Sequence, residues 1–178
     1  AILIALHGFN DYSNAFADAG VYWSSRDIMV YAYDQRGFGS NEQAGQWPGL
    51  GTLVNDLSQA IRVIGAAHPD QPLYLIGESM GGAVAMTALA RSRLKVRGVI
   101  LVAPAVWGRE TMNRIYPLAL WLGAHTFPWV KLSGQGLGFK PSDNNAMLIA
   151  LGKDPLVIKK TRIDALYGLV NLMDAALE

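Results

Sequence analysis

Apolar residues in this chain fall into short unbroken runs, separated by longer stretches in which they recur periodically. Residues 2–6, Ile28 to Tyr33, Leu73 to Ile76 and Val99 to Val102 each form such a run, with no charged member. Runs this short, without a polar face, predict strands covered on both sides, as in a parallel sheet. Between the second and third runs the spacing becomes helical. Leu53, Leu57, Ile61 and Ile64 recur at three- and four-residue steps and predict a helix over 52–67. A short helix is predicted over 14–19, and Gly82 to Ala90 predicts another directly after the third run. Alternating strand and helix predict a parallel sheet with right-handed crossovers.

Past Pro104 the pattern changes and no further run reads as a strand. Trp107, Trp121, Phe127, Trp129 and Tyr167 bring in aromatic rings, and Pro117, Pro128, Pro141 and Pro155 interrupt the segments. From Thr161 to Glu178, Ile163, Leu166, Tyr167, Val170, Met173 and Leu177 share one helical face. The expected organisation is an α/β core over 1–103 and a helical cap over 104–178. The chain opens inside a core-type strand and stops at Glu178, in or just after an amphipathic helix. It is therefore expected to be the middle of a longer protein.

Composition narrows the field. With 178 residues and 51% hydrophobic content, the chain can bury one core with an attached subdomain. A net charge of +1 gives no electrostatic footprint for nucleic acid. There is no cysteine, so disulfides and thiolate metal sites are excluded. His7, His68 and His125 are scattered without ligand spacing, so no metal or cofactor is implied. The stretch from Ile115 to Ala124 is too short to span a bilayer and contains Pro117. No signal segment is read, and the expected location is the cytoplasm or a membrane surface. The sequence is silent on oligomeric state.

The chemistry concentrates in Gly77-Glu78-Ser79-Met80-Gly81. A serine between a strand and a helix, with glycine two residues to either side, is the pattern of a nucleophile elbow. The glycines, Gly77 and Gly81, are expected because the turn is too tight for a Cβ. Ser79 would project at the end of the strand, beside a helix N-terminus whose free N–H groups favour a developing oxyanion. The competing reading is a βα turn with an ordinary N-cap serine.

Three motifs stand in order: His7-Gly8-Phe9 after the first strand, Asp34-x-Arg36-Gly37-x-Gly39 after the second, and Gly77-Glu78-Ser79-Met80-Gly81-Gly82 after the third. Together they resemble the α/β-hydrolase fold, and within it the monoacylglycerol lipase and lysophospholipase group. The fold class expected is α/β: a partial α/β-hydrolase with a parallel sheet of about four strands, flanked by helices, and a helical cap. The resemblance implies a strand order with residues 28–33 outermost, then 2–6, the elbow strand, and 99–102. The first and elbow strands are then neighbours at a topological switch point, where ligands bind. It also implies that the N–H groups of Phe9 and Met80 form an oxyanion hole. The function implied is hydrolysis of a single-chain lipid ester, a monoacylglycerol or lysophospholipid, through an acyl-enzyme on Ser79, without a cofactor. Alternatives are a carboxylesterase or acyl transferase with a small soluble substrate, and a binding module without turnover.

The family's acid and histidine would lie beyond Glu178. His7 reads as a structural residue of the oxyanion loop. His68 precedes the elbow strand and belongs to the opposite pole of the sheet. His125 is either a base overhanging the site or a helix C-terminal histidine. Asp34 reads as a turn residue close to Arg36. Trp121, Phe127, Trp129 and Leu137 are candidates to line an acyl pocket, or else pack the cap onto the sheet. The segment from Ile115 to Val130 is a candidate for peripheral membrane contact.

Overall fold

A computed structural model describes residues 1–133 and 142–178. The first four strands, β1 (Ile2–Leu6), β2 (Met29–Ala32), β3 (Leu73–Glu78) and β4 (Gly98–Val102), pair in parallel in the order β2-β1-β3-β4. Between them run α1 (Ala17–Ser24), α2 (Leu50–Ala67) and α3 (Met80–Arg91). The order and the parallel sense are those the resemblance implies, and the architecture is an α/β-hydrolase core. In register, Leu6 stands opposite Gly77, so β1 ends beside the last residues of β3.

The unbroken apolar runs have a simple cause. Side chains alternate across a strand, and both faces of the two central strands, β1 and β3, are covered. Ile2, Ile4 and Leu6 of β1, with Leu73 and Leu75 of β3, enter one buried cluster with Leu53, Leu57 and Ile61 of α2 and with Ala83 and Val84 of α3. Leu3, Ala5 and Ile76 face the other way, onto Phe16, Trp23 and Tyr74. The four-residue spacing of α2 therefore buries one stripe, as its sequence predicts. On β4, Ile100, Leu101 and Val102 remain exposed.

After β4 come α4 (Ile115–Thr126), β5 (Lys131–Ser133), α5 (Asn145–Lys153), β6 (Lys160–Arg162) and α6 (Ile163–Ala175). The expectation that no strand follows Pro104 is corrected: β5 and β6 form a two-stranded antiparallel ladder. Each has only three residues, mostly polar, so neither carries an apolar alternation. α6 packs on α3, and its Leu172 joins the same cluster as Leu6 and Met80. α4 lies across α6, where a Cβ on Gly123 would stand 3.3 Å from the Ile163 side chain. No described helix is long and apolar enough to cross a membrane.

Candidate active site

Ser79 occupies the single residue between β3 and α3, with φ 49° and ψ −114°. That positive φ is costly for a residue with a Cβ, and it persists because the backbone is fixed on both sides. The Ser79 amide donates to the Val102 carbonyl at 3.0 Å, and its carbonyl accepts from Ala105 at 2.9 Å and Ala83 at 3.2 Å. The side chain caps nothing in the helix. Its hydroxyl has no hydrogen-bond partner among the described residues, so the N-cap reading does not hold.

The flanking glycines have a steric origin, though not the same one. A Cβ on Gly77 would meet the Gly81 backbone at 2.6 Å, which is crowding within the turn. A Cβ on Gly81 would lie 2.2 Å from the Leu6 carbonyl oxygen, so Gly81 is required by the neighbouring strand. Close approach of backbone to backbone is what glycine permits here.

The loop after β1 lies against the elbow. A Cβ on Gly8 would stand 3.5 Å from Cβ of Ser79. Neither the Phe9 amide nor the Met80 amide donates a hydrogen bond within the described structure. Met80 opens α3, where the first N–H groups have no helical partner. Two uncommitted amides thus lie near the elbow: Met80 follows Ser79 directly in the chain, and Phe9 follows Gly8.

His7 holds that loop in shape. It is fully buried, and its Nε2 accepts from the Gln35 amide at 2.9 Å. An accepting Nε2 leaves the proton on Nδ1, which donates to the Gly8 carbonyl at 2.8 Å. Gln35 completes the lock by donating from Nε2 to the His7 carbonyl at 2.8 Å. Burial lowers the His7 pKa, outweighing the Gly8 bond and the charges of Asp11 and Asp34. With both ring nitrogens engaged, His7 is not free to act on Ser79.

The other histidines are also occupied elsewhere. His68 Nε2 lies 2.6 Å from the Tyr31 hydroxyl, and its ring lines a concavity with Ala1, Ile2 and Gln71 at the opposite end of the strands. His125 Nδ1 bonds the Trp121 carbonyl at 2.7 Å, and its ring lies tilted against Trp121 and edge to face with Tyr167. Beside Ser79, the Glu78 pKa is raised from its ordinary value, first by desolvation and then by Asp11. Among the described residues, no group of three or more His, Asp or Glu side chains is placed to hold a metal ion.

Asp34 does organise its turn, but without Arg36. Its carboxylate accepts from the Ser13 amide at 3.0 Å, the Ser40 amide at 2.9 Å and the Ser40 hydroxyl at 2.7 Å. Burial alone would raise its pKa, yet these bonds hold it well below the usual carboxylate range. Arg36 instead forms a two-pronged pair with Asp56 on α2.

Of the acyl-pocket candidates, Trp121 stacks on His125 and Phe127 meets Trp129 edge to face, both largely exposed. Leu137 lies outside the described residues. Three residues around the site carry no strong sequence signal. Gln35 locks His7. Trp47 lies 6.3 Å from the Phe9 ring and packs directly on Gly168 of α6. Asn10 has φ 65°, a left-handed backbone that asparagine tolerates, and this was the one available hint.

This geometry has relatives. The profile described as Serine aminopeptidase, S33 matches residues 1–178. A monoglyceride lipase of Rattus norvegicus is 26% identical over 159 residues, covering 88% of this chain and 52% of its own. A putative monoglyceride lipase of Schizosaccharomyces pombe is 33% identical over 111 residues, covering 58% of this chain and 29% of its own. The solved structure of a soluble variant of monoglyceride lipase from Saccharomyces cerevisiae, in complex with a substrate analog, superposes with a TM-score of 0.80. It is 21% identical and covers 97% of this chain and 59% of that one, so the likeness is one of fold. The chain spans about half the length of the Rattus norvegicus relative. With the profile matched from end to end, the chain belongs to the Serine aminopeptidase, S33 family, as a monoacylglycerol lipase-like α/β-hydrolase.

Proposed function

We propose that the whole protein is a serine ester hydrolase acting on single-chain lipid esters, monoacylglycerols or lysophospholipids, through an acyl-enzyme on Ser79. What supports this reading is an unpartnered Ser79 hydroxyl in the turn between β3 and α3, with Gly8 packed against Ser79 and the amides of the following residues, Phe9 and Met80, left without a partner. In the proposed reaction Ser79 Oγ attacks the ester carbonyl carbon and its proton passes to a general base. The negative oxygen of the tetrahedral intermediate sits against the Phe9 and Met80 N–H groups. Collapse breaks the ester C–O bond, and the leaving alcohol takes the proton back. Water then repeats the sequence on the acyl-serine and releases the fatty acid. Among the described residues no histidine is hydrogen-bonded to Ser79, and the base and its orienting acid are proposed to lie in the remainder of the whole protein. The cap is proposed to be residues 104–178, with Trp121 and Phe127 toward the acyl chain and the exposed face of α4 toward a lipid surface.

The second reading is a binding module that keeps the fold without turnover. One experiment separates the two. The whole protein is assayed on p-nitrophenyl esters and monoacylglycerols of several chain lengths, and labelled with a fluorophosphonate. Expected are turnover that favours the longer chains, a covalent adduct mapped to Ser79, and loss of both in Ser79→Ala. A folded whole protein that is inert toward every ester and unlabelled refutes the hydrolase and leaves the binding module.

A further inference from the structure

The loop after β1 is anchored from two directions. On one side the Phe9 ring meets Phe38 and Trp47 edge-on or tilted, and Trp47 rests on Gly168. On the other, three hydrogen bonds reach residues far along the chain. Asn10 accepts from the Ile158 amide at 2.9 Å through its carbonyl and donates to Thr161 Oγ1 at 2.6 Å through its side chain. The Tyr12 hydroxyl donates to Asp154 Oδ2 at 2.7 Å. Asp154 and Ile158 lie in the strap that joins α5 to β6, and Thr161 lies in β6 at the end of that strap.

The Asn10–Thr161 bond depends on the left-handed backbone at Asn10, φ 65°. That conformation is not intrinsically favoured, so the clamp on both sides of the residue is what keeps it. The Phe9 amide is one residue away, and only the dihedrals of Phe9 and Asn10 separate it from the clamp. The second latch is charge-assisted. The bond to Asp154 is the main reason the Tyr12 pKa is pushed up to about 12, and the same bond lowers Asp154.

We infer that Asn10 and Tyr12, with Asp154 of the strap and Thr161 of β6 at its end, are positioning residues that set the Phe9 amide against Ser79, so that seating of the strap is coupled to stabilisation of the oxyanion. This rests on the ester hydrolysis proposed above. A donor displaced by a fraction of an ångström binds substrate unchanged but stabilises the transition state less. The effect therefore falls on kcat, with KM preserved.

Thr161→Val removes the accepting oxygen and keeps the shape, whereas Thr161→Ser keeps the oxygen. Tyr12→Phe tests the second latch and stands in if the valine variant fails to fold. The whole protein is compared on one short-chain monoacylglycerol, and hydrogen exchange is followed in the peptide covering residues 7–12. Thr161→Val is expected to lower kcat about tenfold, short of the roughly 10²–10³ lost with an entire oxyanion donor. KM should stay within about twofold, exchange in 7–12 should rise, and Thr161→Ser should restore both. An active wild type with kcat unchanged in Thr161→Val and Tyr12→Phe overturns the positioning role alone. Equal losses in the serine and valine variants overturn it too, because the hydroxyl would then be irrelevant. An inert wild type instead removes the hydrolase reading, and the catalytic meaning of the latch goes with it.

Discussion

Replacing Gly81 by alanine should weaken the fold markedly, although alanine is the better helix former. The added Cβ would lie 2.2 Å from the Leu6 carbonyl oxygen, 2.6 Å from its carbonyl carbon and 2.7 Å from its Cβ. An ordinary carbon–oxygen contact needs about 3.3 Å, so roughly 1 Å must be found. Leu6 is fully buried at the end of β1, a strand paired on both sides, and cannot withdraw alone. Overpacking of a dense core costs about 1–3 kcal/mol, and a clash with backbone belongs at the upper end. Helix propensity returns about 1 kcal/mol, leaving a net loss of about 2 kcal/mol. For a domain of this size that is a fall in Tm of about 4–8 °C. Gly65→Ala is the matched control, since its Cβ would meet only the Leu73 side chain, at an ordinary 3.9 Å, and should be neutral or stabilising. Urea unfolding followed by far-UV circular dichroism reads both variants at constant m. A Gly81→Ala protein as stable as Gly65→Ala would refute the crowding assigned to the elbow.

His7 predicts an acid-side loss of stability. Its pKa is lower folded than unfolded, so the folded state disfavours the proton and the contribution is complete above about pH 6.5. As pH falls below that value the unfolded chain gains a proton the folded one resists, by up to about 1.4 kcal/mol per pH unit. Urea midpoints between pH 8 and 5 should therefore fall more steeply in wild type than in His7→Gln, and parallel curves would contradict the buried neutral tautomer. The cap predicts vesicle binding, because on α4 Ile115 is 70% and Leu118 67% exposed. Burying these side chains is worth about 1 kcal/mol each, so Ile115→Ser with Leu118→Ser should weaken co-sedimentation with anionic vesicles about tenfold or more. Unchanged partitioning would remove the membrane role from this face.

The parts of this protein legible in its sequence are those that local pattern encodes. Runs such as Ile2 to Leu6 carry their own burial on both faces, and the four-residue recurrence from Leu53 to Ile61 carries the buried stripe of α2. The elbow is equally local, because a strand, a glycine-framed serine and a helix follow one another without interruption. Strand order is not written in periodicity. It came with the resemblance, through motifs placed after successive strands.

What the tertiary structure alone decided is which distant groups meet. Gly81 is fixed by Leu6, Arg36 turns to Asp56 and away from Asp34, and His7 surrenders both ring nitrogens to Gly8 and Gln35. The ladder between Lys131 to Ser133 and Lys160 to Arg162, and the latch from Asn10 to Thr161, join segments whose own residues are short, polar and aperiodic. Periodicity records only which side of an element meets the core, because burial of apolar area is non-directional and repeats with the backbone. A hydrogen bond between two polar side chains requires a particular distance and angle. Only the assembled sheet and its covering helices supply that geometry, and the partners leave no trace of one another along the chain.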